Sequence, residues 1–153
     1  AESAFRELYK SAQAMLSWAK LPRSFAAYAM ETAAYCQNRL LVRGGETPAK
    51  RISRFRPDLR NMKTFGSVAF VRTGVYKDKF TLRALPMIFI GYADAGSRFW
   101  DPVEQKEIRS RNCWFDERKR GGPLLEKETY DEVARTAAVY GTKNERLPDP
   151  ISL

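Results

Sequence analysis

The sequence contains no histidine and only two cysteines, Cys36 and Cys113, far apart along the chain. Histidine is the commonest general base and the usual activator of a serine or cysteine nucleophile, so Ser-His and Cys-His catalysis are excluded. The same absence, with two distant thiols, excludes a His/Cys zinc site and a paired-cysteine zinc knuckle. The two cysteines read as small buried hydrophobes rather than as a disulfide or reactive pair. No segment approaches the roughly 18 to 20 uninterrupted apolar residues of a membrane span, so no membrane partner is expected. The first residues carry no signal-peptide pattern. The chain opens inside what reads as a helix, so it is expected to be a fragment or processed product, which leaves its compartment open. There is no internal repeat and no low-complexity tract.

Acidic residues are also in short supply. Lys and Arg number 27 against 18 Asp and Glu in 153 residues, for a net charge of +9. A polyanion is the leading class of partner, because Lys and Arg gain affinity by releasing counterions from phosphates. With 44% hydrophobic residues the chain can bury a real core, and its length suits one domain or a small domain with appendages.

Residues 3–19 carry Phe5, Leu8, Tyr9, Ala12, Met15, Leu16 and Ala19 on one helical face, the spacing of an amphipathic helix. Leu21 and Pro22 end it, since proline disfavours helical geometry in the residue before it. A second helix opens at Arg23 or Ser24 and aligns Phe25, Tyr28, Ala29, Ala33, Cys36 and Leu40 before Gly44 and Gly45 stop it. Two helices joined this tightly form an αα-hairpin too small to stand alone as a domain.

The next segment, residues 43–63, differs in kind. It holds seven basic residues, Arg43, Lys50, Arg51, Arg54, Arg56, Arg60 and Lys63, against Glu46 and Asp58, a local excess of +5. More than half of the net charge therefore lies in one connector. Guanidinium groups interleaved with Ile52 and Phe55 can run along a phosphate backbone, so these seven are the candidate nucleic-acid-binding residues.

From Phe65 onward the period becomes that of strands. Short β-branched and aromatic runs at 65–72, 85–92, 97–100 and 106–115 are separated by turn-forming stretches. Asp101-Pro102 suits a turn just after Trp100, and Gly96 suits a bend with positive φ. Trp100 is expected to fill the interior of the resulting domain, making "FWDP" scaffolding rather than a ligand patch. Four or five such strands favour a small SH3-like barrel over residues 64–117. Residues 118–153 then read as a basic Gly/Pro linker, a helix at 127–140 and a polar tail. The fold class is α+β: an N-terminal helical hairpin (1–42), a basic connector (43–63), the barrel and a C-terminal helix.

The stretch "LPRSFAAYAMETAAYCQNRL" resembles the Leu-Pro-x-x-aromatic segment, ending in Asn-Arg, of copia-type retrotransposon integrases. The stretch "FGSVAFV…IFIGYADAGSRFWDP…IRSRNCWFDE" is similar to the SH3-like domain that follows their catalytic core. The resemblance runs from Ala1 to about Glu117. It places Glu2 on the third carboxylate of the family's metal-binding Asp, Asp, Glu triad, with both aspartates upstream of Ala1, and puts Phe5 where the family has asparagine. A two-metal site needs several carboxylates converging on cations about 4 Å apart, which Glu2 alone does not supply. The resemblance therefore implies no enzyme activity for this chain, no metal and no cofactor. Its expected role is non-catalytic nucleic-acid binding (RNA or DNA) or structural, with protein neighbours in a larger assembly. Recruitment as a subunit of a ribonucleoprotein such as a ribosome is one form of that role. The alternative is a fragment of an active integrase that binds DNA for integration.

Overall fold

The computed structural model describes residues 2–40, 62–72 and 84–142. Helix α1 (Glu2–Ala19) is followed by a 3-10 turn (Arg23–Phe25) and helix α2 (Ala26–Leu40). Five strands come next: β1 (Ser67–Arg72), β2 (Ala84–Ala93), β3 (Gly96–Asp101), β4 (Lys106–Ser110) and β5 (Cys113–Arg120). A second 3-10 turn (Gly122–Leu125) leads into helix α3 (Lys127–Thr142). The expected α+β class is what is found. Most of the connector (41–61), including the Gly44-Gly45 stop, lies outside the described residues, as do 73–83 and the polar tail.

Helix α1 ends where Pro22 requires it to. Lys20 takes φ of 57°, the Leu21 N–H donates to the Leu16 carbonyl at 3.1 Å, and the Lys20 N–H donates to that of Ser17 at 3.3 Å. This paired arrangement closes the helix with a left-handed residue, a place more often held by glycine. Leu21 is buried beneath it.

The strands are all antiparallel, in the order β4-β3-β2-β1-β5. Strands β4 and β5 occupy opposite edges, yet only Arg111 and Asn112 separate them in sequence. Three Cα steps span at most about 11 Å, whereas the edges of a flat five-stranded sheet stand about 19 Å apart. The sheet must therefore curl until its edges approach, which is the barrel.

Curling gives the sheet two covered faces. Ala69, Val71, Met87, Phe89, Phe99 and Cys113 fill the inside, with Leu85, Tyr92, Ile108 and Phe115 around them. The alternate residues Val68, Ile88 and Ile90 face outward against Ala12, Ala19, Leu21, Phe25 and Ala29 of the helical hairpin and Leu124 and Tyr130 of the C-terminal segment. Burial on both faces explains why β2 reads as a continuous apolar run instead of an alternating one. The helical hairpin and the barrel thus share one of the two cores.

Two sequence expectations are corrected here. Residues 106–115 form two strands rather than one, because a turn at Arg111-Asn112 intervenes. There the Asn112 N–H donates to Ser110 Oγ at 3.1 Å, and the Asn112 carbonyl accepts from the Arg72 N–H at 2.9 Å. The imperfect alternation of that run was the trace of the break. Trp100 does not fill the barrel interior. It lies on the outer face and meets Phe25 edge-on, centroids 5.4 Å apart at 86°, so it joins barrel to helices. Asp101 behaves as its turn chemistry requires, its carboxylate accepting from the Val103 and Glu104 N–H groups at 2.9 and 3.2 Å.

A bulge in β2 between Phe89 and Gly91 leaves the Ile90 carbonyl for the buried hydroxyl of Thr32, which donates to it at 3.3 Å. Nearby, Arg98 ties α2 to the sheet. Its Nε and Nη2 donate to Glu107 at 2.6 and 3.2 Å, and its Nη1 to Glu31 at 2.7 Å. The Arg98 hydrogen bonds hold the Glu107 carboxyl below its ordinary range. A carboxylate with a depressed folded pKa adds stability above its unfolded pKa and loses it as pH falls through the folded value. Arg98→Met is therefore expected to lower Tm near neutral pH and to make the decline in Tm from pH ~5 to ~3 shallower than in the parent chain, as followed by thermal melts.

Candidate nucleic-acid interface

Of the seven candidate cations only Lys63 falls among the described residues; Arg43, Lys50, Arg51, Arg54, Arg56 and Arg60 lie outside them. Lys63 is 8% exposed. Its ammonium sits 5.5 Å from the centroid of the Phe115 ring, and its main chain is held by Tyr92: the Lys63 N–H donates to the Tyr92 hydroxyl at 3.0 Å, and that hydroxyl donates to the Lys63 carbonyl at 3.3 Å. The placement gives Lys63 an anchoring role at the end of the connector rather than that of an exposed cation. Burial pushes the Tyr92 phenol up to about 12 despite the Lys63 backbone hydrogen bond.

The other flank of the connector meets the same tyrosine. Tyr35 of α2 stacks on Tyr92 with centroids 4.0 Å apart and planes at 14°. The Arg39 guanidinium covers the Tyr35 ring at 3.3 Å from its centroid. A guanidinium over an aromatic face is a favourable cation–π contact. Residues on both sides of the basic connector are therefore pinned to one aromatic column, Arg39 by stacking on Tyr35 and Lys63 by hydrogen bonds to Tyr92.

Beside this column opens a cleft of about 420 Å³, lined by Tyr35, Tyr92, the β2–β3 turn from Ala93 to Ser97, and Arg111. At Gly96, one of the lining residues, the backbone runs close to the end of β4. Gly96 has φ of 117°, and a Cβ there would come within 2.6 Å of the Ser110 carbonyl oxygen.

A second group of cations was assigned to the linker by sequence. Arg118, Lys119 and Arg120 belong instead to strand β5, which runs three residues past Glu117. Including them adds three positive charges to residues 64–117, which hold eight Lys and Arg against seven Asp and Glu. Arg118 and Lys119 flank Asp116 at 3.5 and 4.0 Å. Arg120 lies over Trp18 of α1 at 5.8 Å, and Arg72 over Trp114 at 4.7 Å. Charges on an edge strand also discourage pairing with other chains. The signal available in sequence was the stretch "CWFDERKR", with no glycine or proline before Gly121.

Both cysteines are free; Cys113 is buried, as expected, whereas Cys36 is half-buried. Burial pushes the Cys113 thiol up to about 11, against the opposing charge of Lys63, and also raises that of Cys36. Neither has the depressed pKa of a reactive thiol. Among the described residues no group of three His, Cys, Asp or Glu side chains is placed to hold a metal ion, and no helix is long and apolar enough to cross a membrane. Helix α1 begins at Glu2.

The family model described as "Retroviral polymerase SH3-like domain" matches residues 67–129. Those residues belong to that domain family. A relative, the "Retrovirus-related Pol polyprotein from transposon TNT 1-94" of Nicotiana tabacum, is 37% identical over 122 residues. The two matches together support the copia-type retrotransposon integrase region that the motifs resemble. The match to the tobacco protein covers 76% of this chain but 9% of the relative, so the chain spans a small part of that polyprotein. No solved structure matches. The curled five-stranded sheet is thus a retrotransposon Pol-derived SH3-like domain, with the helical hairpin packed on its outer face and α3 on the same side.

Proposed function

We propose that this chain is a non-catalytic nucleic-acid-binding module whose main contact is the basic connector. The observation that carries the reading is the +5 excess of residues 43–63, set between two flanks, Arg39 and Lys63, that a single tyrosine pair holds against the SH3-like domain. The described flanks bring the two ends of the connector to one tyrosine pair, and a run of seven cations in 21 residues suits a polyanion, whose counterions it releases on binding. The exposed cations at the end of β5 add to the same basic surface character. The non-catalytic reading is supported by the lack of any histidine among these 153 residues to serve as a general base.

The test is the salt dependence of binding. Replacing Arg51, Arg54, Arg56 and Arg60 together with serine is expected to weaken binding to a DNA duplex. The slope of log K against log salt should flatten by as much as about 3 to 4, since each neutralised phosphate contact contributes roughly 0.9. An unchanged slope would sink the connector as the contact. Protein neighbours belong to the same proposal: sedimentation of the native chain in a defined ribonucleoprotein particle would mark it as a recruited subunit. Recovery joined to a longer chain that carries the two aspartates would mark it as part of an integrase.

A further inference from the structure

We propose that the cleft between α2, the β2–β3 turn and the β4–β5 turn binds one unpaired nucleotide of a DNA or RNA strand. The proposal rests on the nucleic-acid reading above and deepens it. The cleft, about 420 Å³, falls within the ~300 to 1,000 Å³ range of small-ligand sites. A base locked in a duplex cannot enter such a recess, whereas an unpaired one can turn out of the strand and present its hydrogen-bonding edge.

The chemistry of the lining is what selects a nucleotide over a plain anion. Asp94 and Arg111 both line the cleft, both are exposed, and among the described residues neither forms an ion pair. The Arg111 guanidinium suits a phosphate, bonding two oxygens with its fork. The Asp94 carboxylate can only accept hydrogen bonds and repels phosphate, but it suits the amino or imino N–H groups on a base edge. A nucleotide carries both partners on one small ligand.

The tyrosines bound the cleft without sandwiching a base. Tyr35 and Tyr92 already stack on each other and Arg39 covers a face of Tyr35. With those ring faces already occupied, recognition falls to hydrogen bonds. Close approach at Gly96, where a Cβ would come within 2.6 Å of the Ser110 carbonyl oxygen, and the pairing of Ser97 with Ser110 set the turns that carry Asp94 and Arg111 side by side.

Asp94 makes the test decisive, because electrostatics and base recognition predict opposite signs for its removal. The full chain would be titrated by fluorescence anisotropy against single-stranded DNA and RNA 20-mers and a blunt DNA duplex of the same sequence. The parent chain is expected to prefer one or both single strands. Asp94→Ala is expected to weaken that preferred binding by about tenfold, the scale of one hydrogen bond to a charged group, while duplex binding stays level or tightens. Arg111→Ala is expected to weaken single-strand binding more than duplex binding. If Asp94→Ala tightens all probes alike or changes none, the cleft proposal is overturned and the connector reading stands. If the parent chain shows no salt-dependent binding to any probe, both fall together.

Discussion

Gly66→Ala is expected to lower the unfolding free energy by about 2 to 5 kcal/mol, the sum of a left-handed backbone penalty of about 1–2 kcal/mol and an overpacking penalty of about 1–3 kcal/mol. Gly66 has φ of 75°. A Cβ added there would overlap the Ala19 Cβ and come within 3.3 Å of Leu21 Cδ1. Both main-chain groups are committed as well: its N–H donates to the Phe89 carbonyl at 2.8 Å, and its carbonyl accepts from the Gly121 N–H at 2.6 Å. The end of α1, strand β2 and the segment after β5 meet at this residue, so the chain has nowhere to shift. Urea titration of Gly66→Ala, Ala19→Gly and the double variant separates the two causes. The double variant is expected to be more stable than the sum of the single changes predicts, because the overlap is relieved while the backbone strain persists. A change in midpoint equivalent to less than about 0.5 kcal/mol for Gly66→Ala, the range of ordinary surface substitutions, would rule out the close approach.

Phe89→Ala is expected to cost about 3 to 5 kcal/mol, the range for deleting a buried aromatic ring. Phe89 is fully buried. Its ring meets Tyr92 and Phe115 edge-on at 5.2 and 5.3 Å and Phe99 at 6.1 Å. These are the offset and T-shaped geometries that aromatic rings favour. Phe89→Leu, closer in volume, should cost clearly less. A fall in the near-ultraviolet circular dichroism of Phe89→Ala at temperatures where the chain is still folded would show the cluster loosening. Equal stability of the alanine and leucine variants would mean that the ring does not fill the barrel.

The helices and the strand-rich segment were legible because their apolar residues follow the periods of their own elements. Phe5 to Ala19 keeps the helical spacing, and the run from Leu85 to Ile90 marks a strand covered on both faces. Turn chemistry was equally local, since Asp101 accepts from N–H groups two and three residues ahead, and Gly96 has the positive φ its position suggested. Where the reading failed, neighbours distant in sequence made the decision. Nothing near Trp100 says which face of the sheet the helices will cover, and it is Phe25, from the other end of the chain, that receives its ring. Arg118 to Arg120 looked like linker because charge and a following Gly-Gly-Pro outweighed strand period, yet β5 is carried to Arg120 by pairing with β1.

The sequence by itself determined the α+β class, the hairpin, the copia-type resemblance and the concentration of charge in residues 43–63, because composition and short-range spacing encode each of these directly. Only the tertiary structure decided that Tyr35 and Tyr92, 57 positions apart in the numbering, stack to hold both flanks of the connector. It also decided that Asp94 and Arg111 line one cleft. The first meeting depends on the packing of the helical hairpin against the sheet, and the second on the register of β3 and β4, which sets Ser97 opposite Ser110 and so brings the β2–β3 turn beside Arg111. Neither contact has a signature at the residues themselves.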